Sequence, residues 1–316
     1  MALDAYMHVG LPRFQSARDA LKVMDESGIG VSVICPFETC PDLATVHGAL
    51  RTAPDRFVGV GIPLGDDRDT ITSGIRAQFT AGFRGLRLST EHVRAHPWIL
   101  DLIGEAHGFA LMCGRGGLEE NAGELFRYLD TFDDGLVLGG HFAGPTDVSV
   151  FESSADTARL FEHERFAVIL SRHGLFPEPL LTDWMGELLA RLGWGRILWG
   201  SEAPVLYWRD ESMSSAMSWI ERFAPMPEQR AAFLGGNLER LVLSRPSTPV
   251  NDLALDFDPF DFLVTRPSEV WPKGLPLDDA LVGRLVHQWL EWGGSPRGTF
   301  GAFTAELLES SSSRSA

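Results

Sequence analysis

Lysine is almost missing: Lys22 and Lys273 stand against twenty-five arginines. A G-x-x-x-x-G-K-[ST] phosphate loop is excluded, because neither lysine follows a glycine-rich run. A Schiff-base or pyridoxal lysine could only be one of these two. Lys22 falls in a predicted surface helix and Lys273 in a late loop, so neither suits that role. There is no G-x-G-x-x-G after the first predicted strand and no G-x-S-x-G elbow. Gly114-Arg-Gly-Gly117 is a lone short glycine cluster. Cysteine is sparse as well. Cys35, Cys40 and Cys113 form an odd set that fits a reduced, cytoplasmic protein better than a secreted disulfide scaffold. No apolar run approaches the ~18 residues of a membrane helix, and the first eight residues have neither the basic nor the apolar region of a signal peptide. Positive charge is in deficit: the net charge is −16. That balance argues against binding nucleic acid or an anionic membrane by bulk electrostatics. What remains is an ordinary globular composition, 44% hydrophobic and 22% charged.

Short β-branched or apolar runs recur, each followed by a helical stretch. Strands are predicted to start near Leu3, Gly30, Phe57, Phe83, Gly108, Gly135, Phe166 and Arg196. Helical patterns fill the gaps: Ser16–Ser27, Leu43–Ala53, Asp69–Ala81, Pro97–His107, Glu119–Phe132, Ser154–His163 and Pro179–Leu192. Two more follow, near Ser212–Phe223 and Pro227–Leu243. Eight evenly spaced strand–helix units predict a (β/α)8 TIM barrel over residues 1–243, with a doubly wound open sheet as the alternative. After Leu243 the composition turns rich in serine and proline. Residues 244–316 are expected to form a C-terminal extension. Its one amphipathic helix, Leu277–Trp292, places Leu281, Leu285 and Trp289 on one face, and its serine-rich end, Ser310–Ala316, is expected to be disordered. The apolar stripe suits packing either on the barrel or on a second copy, the latter giving a homo-oligomer.

In a (β/α)8 barrel the chemistry sits at the C-terminal ends of the strands. Reactive side chains are predicted there: Tyr6 and His8 on strand one, Arg87 on strand four, Arg115 on strand five, His141 on strand six, Arg172 and His173 on strand seven, Glu202 on strand eight. Tyr6 and His8, two apart on a strand, share one face. Glu202 follows the apolar run Ile197-Leu-Trp199, so its carboxylate must be paired, metal-bound or shifted in pKa. Two imidazoles and a carboxylate, His8, His141 and Glu202, match the ligand chemistry of one Zn2+ or another divalent metal. Arg87, Arg115 and Arg172 offer either structural ion pairs or a clamp for a substrate carboxylate. Cys113 reads as a buried strand residue rather than a nucleophile.

Five motifs, in order over residues 1–243, resemble the amidohydrolase superfamily in its amidohydrolase-2, lactonase-like branch. Asp4-Ala-Tyr6-Met-His8 is similar to its Asp-x-His-x-His strand. Gly82-Phe-Arg-Gly-Leu-Arg87 is similar to its glycine-aromatic-[Lys/Arg]-Gly-x-Arg strand. His141-Phe-Ala-Gly144-Pro145 resembles His-x-Gly-x-Pro. Arg196-Ile-Leu-Trp-Gly200-Ser201-Glu202-Ala-Pro204 resembles Arg-x-x-x-Gly-Ser-Asp-x-Pro, and Gly236-Asn237-Leu-Glu-Arg240-Leu241 resembles the closing Gly-Asn-x-x-Arg-Leu.

The resemblance implies metal ligands at the strand-one, strand-six and strand-eight positions, a water-activating carboxylate at Glu202, and substrate contact by Arg87. Two positions depart: Tyr6 stands where the family has its first histidine and Glu202 where it has aspartate. The carbamylated lysine of the family's two-metal members has no candidate here, so the resemblance implies at most one metal. Because a neutral phenol is a poor Zn2+ ligand, the expectation includes its absence. His173 is extra to the pattern, a general acid or a loop histidine. The implied activity is hydrolysis of a lactone, ester or amide of a small, anionic substrate. The alternatives are non-oxidative decarboxylation or hydration, and a metal-free cyclase, isomerase or non-catalytic relic of the fold.

Overall fold

The alternating runs fold, in a computed structural model, into a (β/α)8 barrel. The structure describes residues 1–10, 14–37, 41–113, 118–209 and 211–256, with only the backbone for Trp208. Arg115, Cys40 and the predicted helix Leu277–Trp292 lie outside the described residues. The strands are β1 (Ala2–His8), β2 (Ile29–Cys35), β3 (Phe57–Gly61), β4 (Gly85–Leu88), β5 (Phe109–Met112), β6 (Val137–Gly139), β7 (Phe166–Leu170) and β8 (Ile197–Trp199). They lie side by side in sequence order, every ladder parallel. Each begins within two residues of the position read from the sequence.

The barrel closes between β8 and β1 just past the end of β8. Glu202 N–H donates to Tyr6 O (2.7 Å) and His8 N–H to Ala203 O (2.8 Å). The Asp4 carboxylate reinforces the seam by accepting from the Ser201 N–H (2.9 Å) and the Ser201 hydroxyl (2.6 Å).

Side chains alternate between two cores. Tyr6, Val33, Val60, Leu111, Ile169 and Leu198 fill the barrel, while Met7, Ile34, Leu86, Met112, Val168 and Ile197 pack outward under the helices. The helices begin and end where local chemistry allows. Ala17–Ser27 starts at Ser16, whose side chain accepts from the Asp19 N–H, and ends at Gly28 in the left-handed region (φ 67°). The stretch after β4 departs from the expected single helix. Ser89 caps a separate short helix, Thr90–Ala95, in a reciprocal cap with His92, and the following helix is Ile99–Glu105. The terminal helical stretch underlies the barrel: Asn237 Nδ2 donates to the carbonyls of Trp194 (2.7 Å) and Ile197 (2.8 Å), and Leu238 and Val242 join the inner core. Residues 244–256 then run outside the helices Leu43–Thr52 and Arg68–Thr80, where Asn251 Nδ2 donates to Thr80 O (2.9 Å). Among the described residues no helix is long and apolar enough to cross a membrane.

One buried amide ties the helix Arg68–Thr80 to β3. Gln78 Oε1 accepts from Ile62 N–H (2.9 Å), and Nε2 donates to Ile62 O (2.9 Å) and Gly74 O (3.1 Å). Gln78→Ala would strip the Ile62 donor and acceptor of these partners inside a dry core. Each costs about 1–3 kcal/mol, so thermal unfolding should show a loss of roughly 2–6 kcal/mol. A loss under ~0.5 kcal/mol would mean that the helix is held by packing alone.

Candidate active site

The C-terminal ends of β1, β4, β6, β7 and β8 bring Tyr6, His8, Arg87, His141, Arg172 and Glu202 together. Tyr6 lies in the centre of the barrel, fully buried. Its ring meets His8 and His141 edge to face, with centroids 4.9 and 5.1 Å away. Gly200 makes the room: a Cβ there would come within 2.9 Å of Tyr6 Cβ. Arg87 points into the barrel rather than toward the helices, and its Nε reaches the Tyr6 hydroxyl at 3.5 Å. Burial raises the Tyr6 pKa well above 10, so the phenol is neutral at physiological pH. His8 stacks on Phe14 (4.3 Å, 14°), with Nδ1 3.3 Å from Cys35 O.

His141 opens a run of three residues, His141 to Ala143, with φ between 54° and 61°. Its Nδ1 lies 2.8 Å from the Ser171 hydroxyl, and its Nε2 faces Glu202 Oε1 at 3.7 Å. Burial first, then the charges of Arg172 and Arg87, hold the imidazole well below its ordinary pKa, so it is neutral. Burial also raises the thiol pKa of Cys113, which keeps it protonated as a core residue.

Glu202 has no solvent exposure, and both of its oxygens are engaged. Arg172 directs Nε (2.6 Å) and Nη2 (2.5 Å) to Oε1, while Arg209 Nη2 donates to Oε2 (2.9 Å). Arg209 Nε turns to Glu211 Oε1 (2.7 Å), and Glu211 Oε2 lies 3.4 Å from His173 Nδ1. Glu211 and Arg209 thus link His173 to Glu202. Burial is the first cause that lowers its pKa, with Glu211 opposing. Arg209 and Glu211 were not singled out in the sequence. A buried carboxylate needing a partner, followed within nine residues by an arginine and a second carboxylate, was the signal available.

The residues described do not fit a divalent metal. Tyr6 at the first ligand position is a neutral phenol, and the carboxylate oxygens of Glu202 already face two guanidinium groups. Arg87, Arg172 and Arg209 would repel a dication. No group of three His, Cys, Asp or Glu side chains able to hold a metal is found among the described residues. The arrangement instead suits an anion: a buried, arginine-rich cluster with neutral hydrogen-bonding groups beside it.

No protein-family model matches the chain, and no curated protein matches it in sequence. Solved structures do match it in fold. One is a probable 2-pyrone-4,6-dicarboxylic acid hydrolase from Acinetobacter baumannii with citric acid bound: 14% identity, 76% of this chain and 98% of that one, TM-score 0.60. Another is a dihydroxybenzoic acid decarboxylase from Polaromonas sp. JS666 with manganese and 2-nitroresorcinol: 15% identity, 78% and 97% covered, TM-score 0.58. A third is an amidohydrolase from Burkholderia multivorans with bound zinc: 15% identity, 76% and 98% covered, TM-score 0.56. At this identity the likeness shows the fold. That fold is a (β/α)8 barrel, as the sequence pattern predicted.

Proposed function

We propose that the chain is a hydrolase of the amidohydrolase-2 type that acts on a lactone, ester or amide of a small carboxylate-bearing molecule. The observation that carries this reading is the buried Glu202 carboxylate beside a neutral His141, set among Arg87, Arg172 and Arg209. The Arg172 guanidinium holds the substrate's carboxylate. A water oxygen attacks the carbonyl carbon, and its proton passes to Glu202 Oε1. The carbonyl electron pair moves onto oxygen, where Tyr6, His141 and Arg87 donate hydrogen bonds. Collapse breaks the C–O or C–N bond, and the leaving atom takes the proton from Glu202. The residues described supply each of these steps without a metal. The structural neighbours, which include a hydrolase, an amidohydrolase and a decarboxylase, support an enzyme on this barrel.

The test uses the purified chain after exhaustive chelation. It should open 2-pyrone-4,6-dicarboxylate or a related carboxylated lactone, and release no carbon dioxide from 2,6-dihydroxybenzoate. Activity that appears only when Zn2+ or Mn2+ is restored would refute the metal-free reading. Carbon dioxide release would replace hydrolysis with decarboxylation.

A further inference from the structure

The two arginines on Glu202 are not equivalent. Arg209 is anchored twice, to Glu202 Oε2 and to Glu211 Oε1. Arg172 spends both of its contacting nitrogens on a single oxygen, Glu202 Oε1, instead of forking across two. The Arg172 side chain is also the more exposed, 25% against 17% for Arg209. Its backbone and that of Glu202 both sit in the left-handed region, φ 62° and 57°. Of the seven described non-glycine residues with positive φ, five stand at the ends of β6, β7 and β8 around this pair: His141, Phe142, Ala143, Arg172 and Glu202. Such conformations persist where surrounding contacts enforce them, and they cluster at sites that bind or switch.

We propose that Glu202 occupies the seat of a ligand carboxylate: an incoming carboxylate takes Arg172 from Glu202 Oε1, while Arg209, held by Glu211, keeps Oε2 in place. Arg209 is then a positioning residue, and Glu202 is an internal competitor for the anion it helps to process. The exchange frees Oε1, the oxygen that faces His141, to accept a proton only when a carboxylate ligand is present. A molecule without a carboxylate leaves Oε1 masked. This inference rests on the reading of the barrel mouth as a carboxylate-binding site, but it concerns binding and needs no turnover.

Calorimetric titration of the full chain with citrate, a small tricarboxylate, tests it. Glu202→Gln removes the competing charge and should bind citrate at least tenfold more tightly than the wild type. Glu202→Asp is one methylene shorter and withdraws from Arg172 while keeping its charge, so it should bind more tightly by a smaller factor. Arg172→Met should lose binding in either background. Circular dichroism melts show that each variant is folded, and the aspartate variant carries the test if the glutamine variant is not. Citrate affinity unchanged or weaker in the folded Glu202 variants would overturn the proposal. So would undiminished binding by Arg172→Met. A chain that opens no lactone yet shows the tightening keeps this inference and loses the proposed hydrolysis. Hydrolysis without the tightening does the reverse.

Discussion

Replacing Glu202 with glutamine is expected to lower the hydrolysis of a carboxylated lactone by ~100-fold or more, the scale for a positioned base. The amide keeps the length and shape of the side chain. It cannot take the proton from water, and it cannot answer both guanidinium groups with charge. Breaking a fully buried ion pair costs about 3–5 kcal/mol. Arg172 and Arg209 keep some access to water, so a smaller cost, roughly 1–3 kcal/mol, is expected here. The barrel should still melt cooperatively. The two effects separate by measurement: single-turnover kinetics reads the chemistry, and a thermal melt reads the pairing. A variant that is folded and retains a third or more of the wild-type rate would remove Glu202 from the chemistry and leave it as an arginine anchor.

The barrel was legible because its strands repeat one requirement. Residues such as Val33, Val60, Leu111 and Ile169 must fill the interior, while Ile34, Leu86 and Val168 must cover the helices, and both demands write apolar runs into the chain. The break between Thr90–Ala95 and Ile99–Glu105 was missed because Ser89 reads as a strand end, although its cap partner His92 lies at the right spacing. At the mouth, Tyr6, His141 and Glu202 stood out as polar groups at the ends of apolar strands. Arg209 and Glu211 did not, because they follow β8 in a segment with no periodicity. Their role depends on a three-dimensional contact, the approach of Arg209 to Glu202 Oε2. The metal expectation rested on residue types alone. Whether three ligands converge is set by side-chain direction, and here Glu202 turns to arginines.

Asp4 gives stability a marked expected dependence on pH between 4 and 7. It is fully buried at the β1–β8 seam, accepting from Ser201 N–H, the Ser201 hydroxyl and Tyr6 N–H (3.0 Å). Those three donors favour the carboxylate, while burial disfavours it. Burial wins, lifting the Asp4 pKa from 3.8 to about 7. The folded state thus holds the proton more tightly than the unfolded chain does. The stabilisation from protonated Asp4 is complete below pH ~4, the unfolded value, declines as pH rises toward 7, and is gone above it. A shift of about 3 units corresponds to roughly 4 kcal/mol. Asp4→Asn does not titrate, and its amide can still accept from Ser201 N–H and donate to the Ser201 hydroxyl. The difference in unfolding free energy, Asp4→Asn minus wild type, should therefore rise by about 4 kcal/mol between pH 4 and 7 and then level off. Other carboxylates titrate in both proteins and cancel in that difference. A difference that stays flat across this window would mean that Asp4 titrates alike in the folded and unfolded chains. One that falls with rising pH would mean that the Ser201 and Tyr6 donors outweigh burial and keep the seam carboxylate ionised.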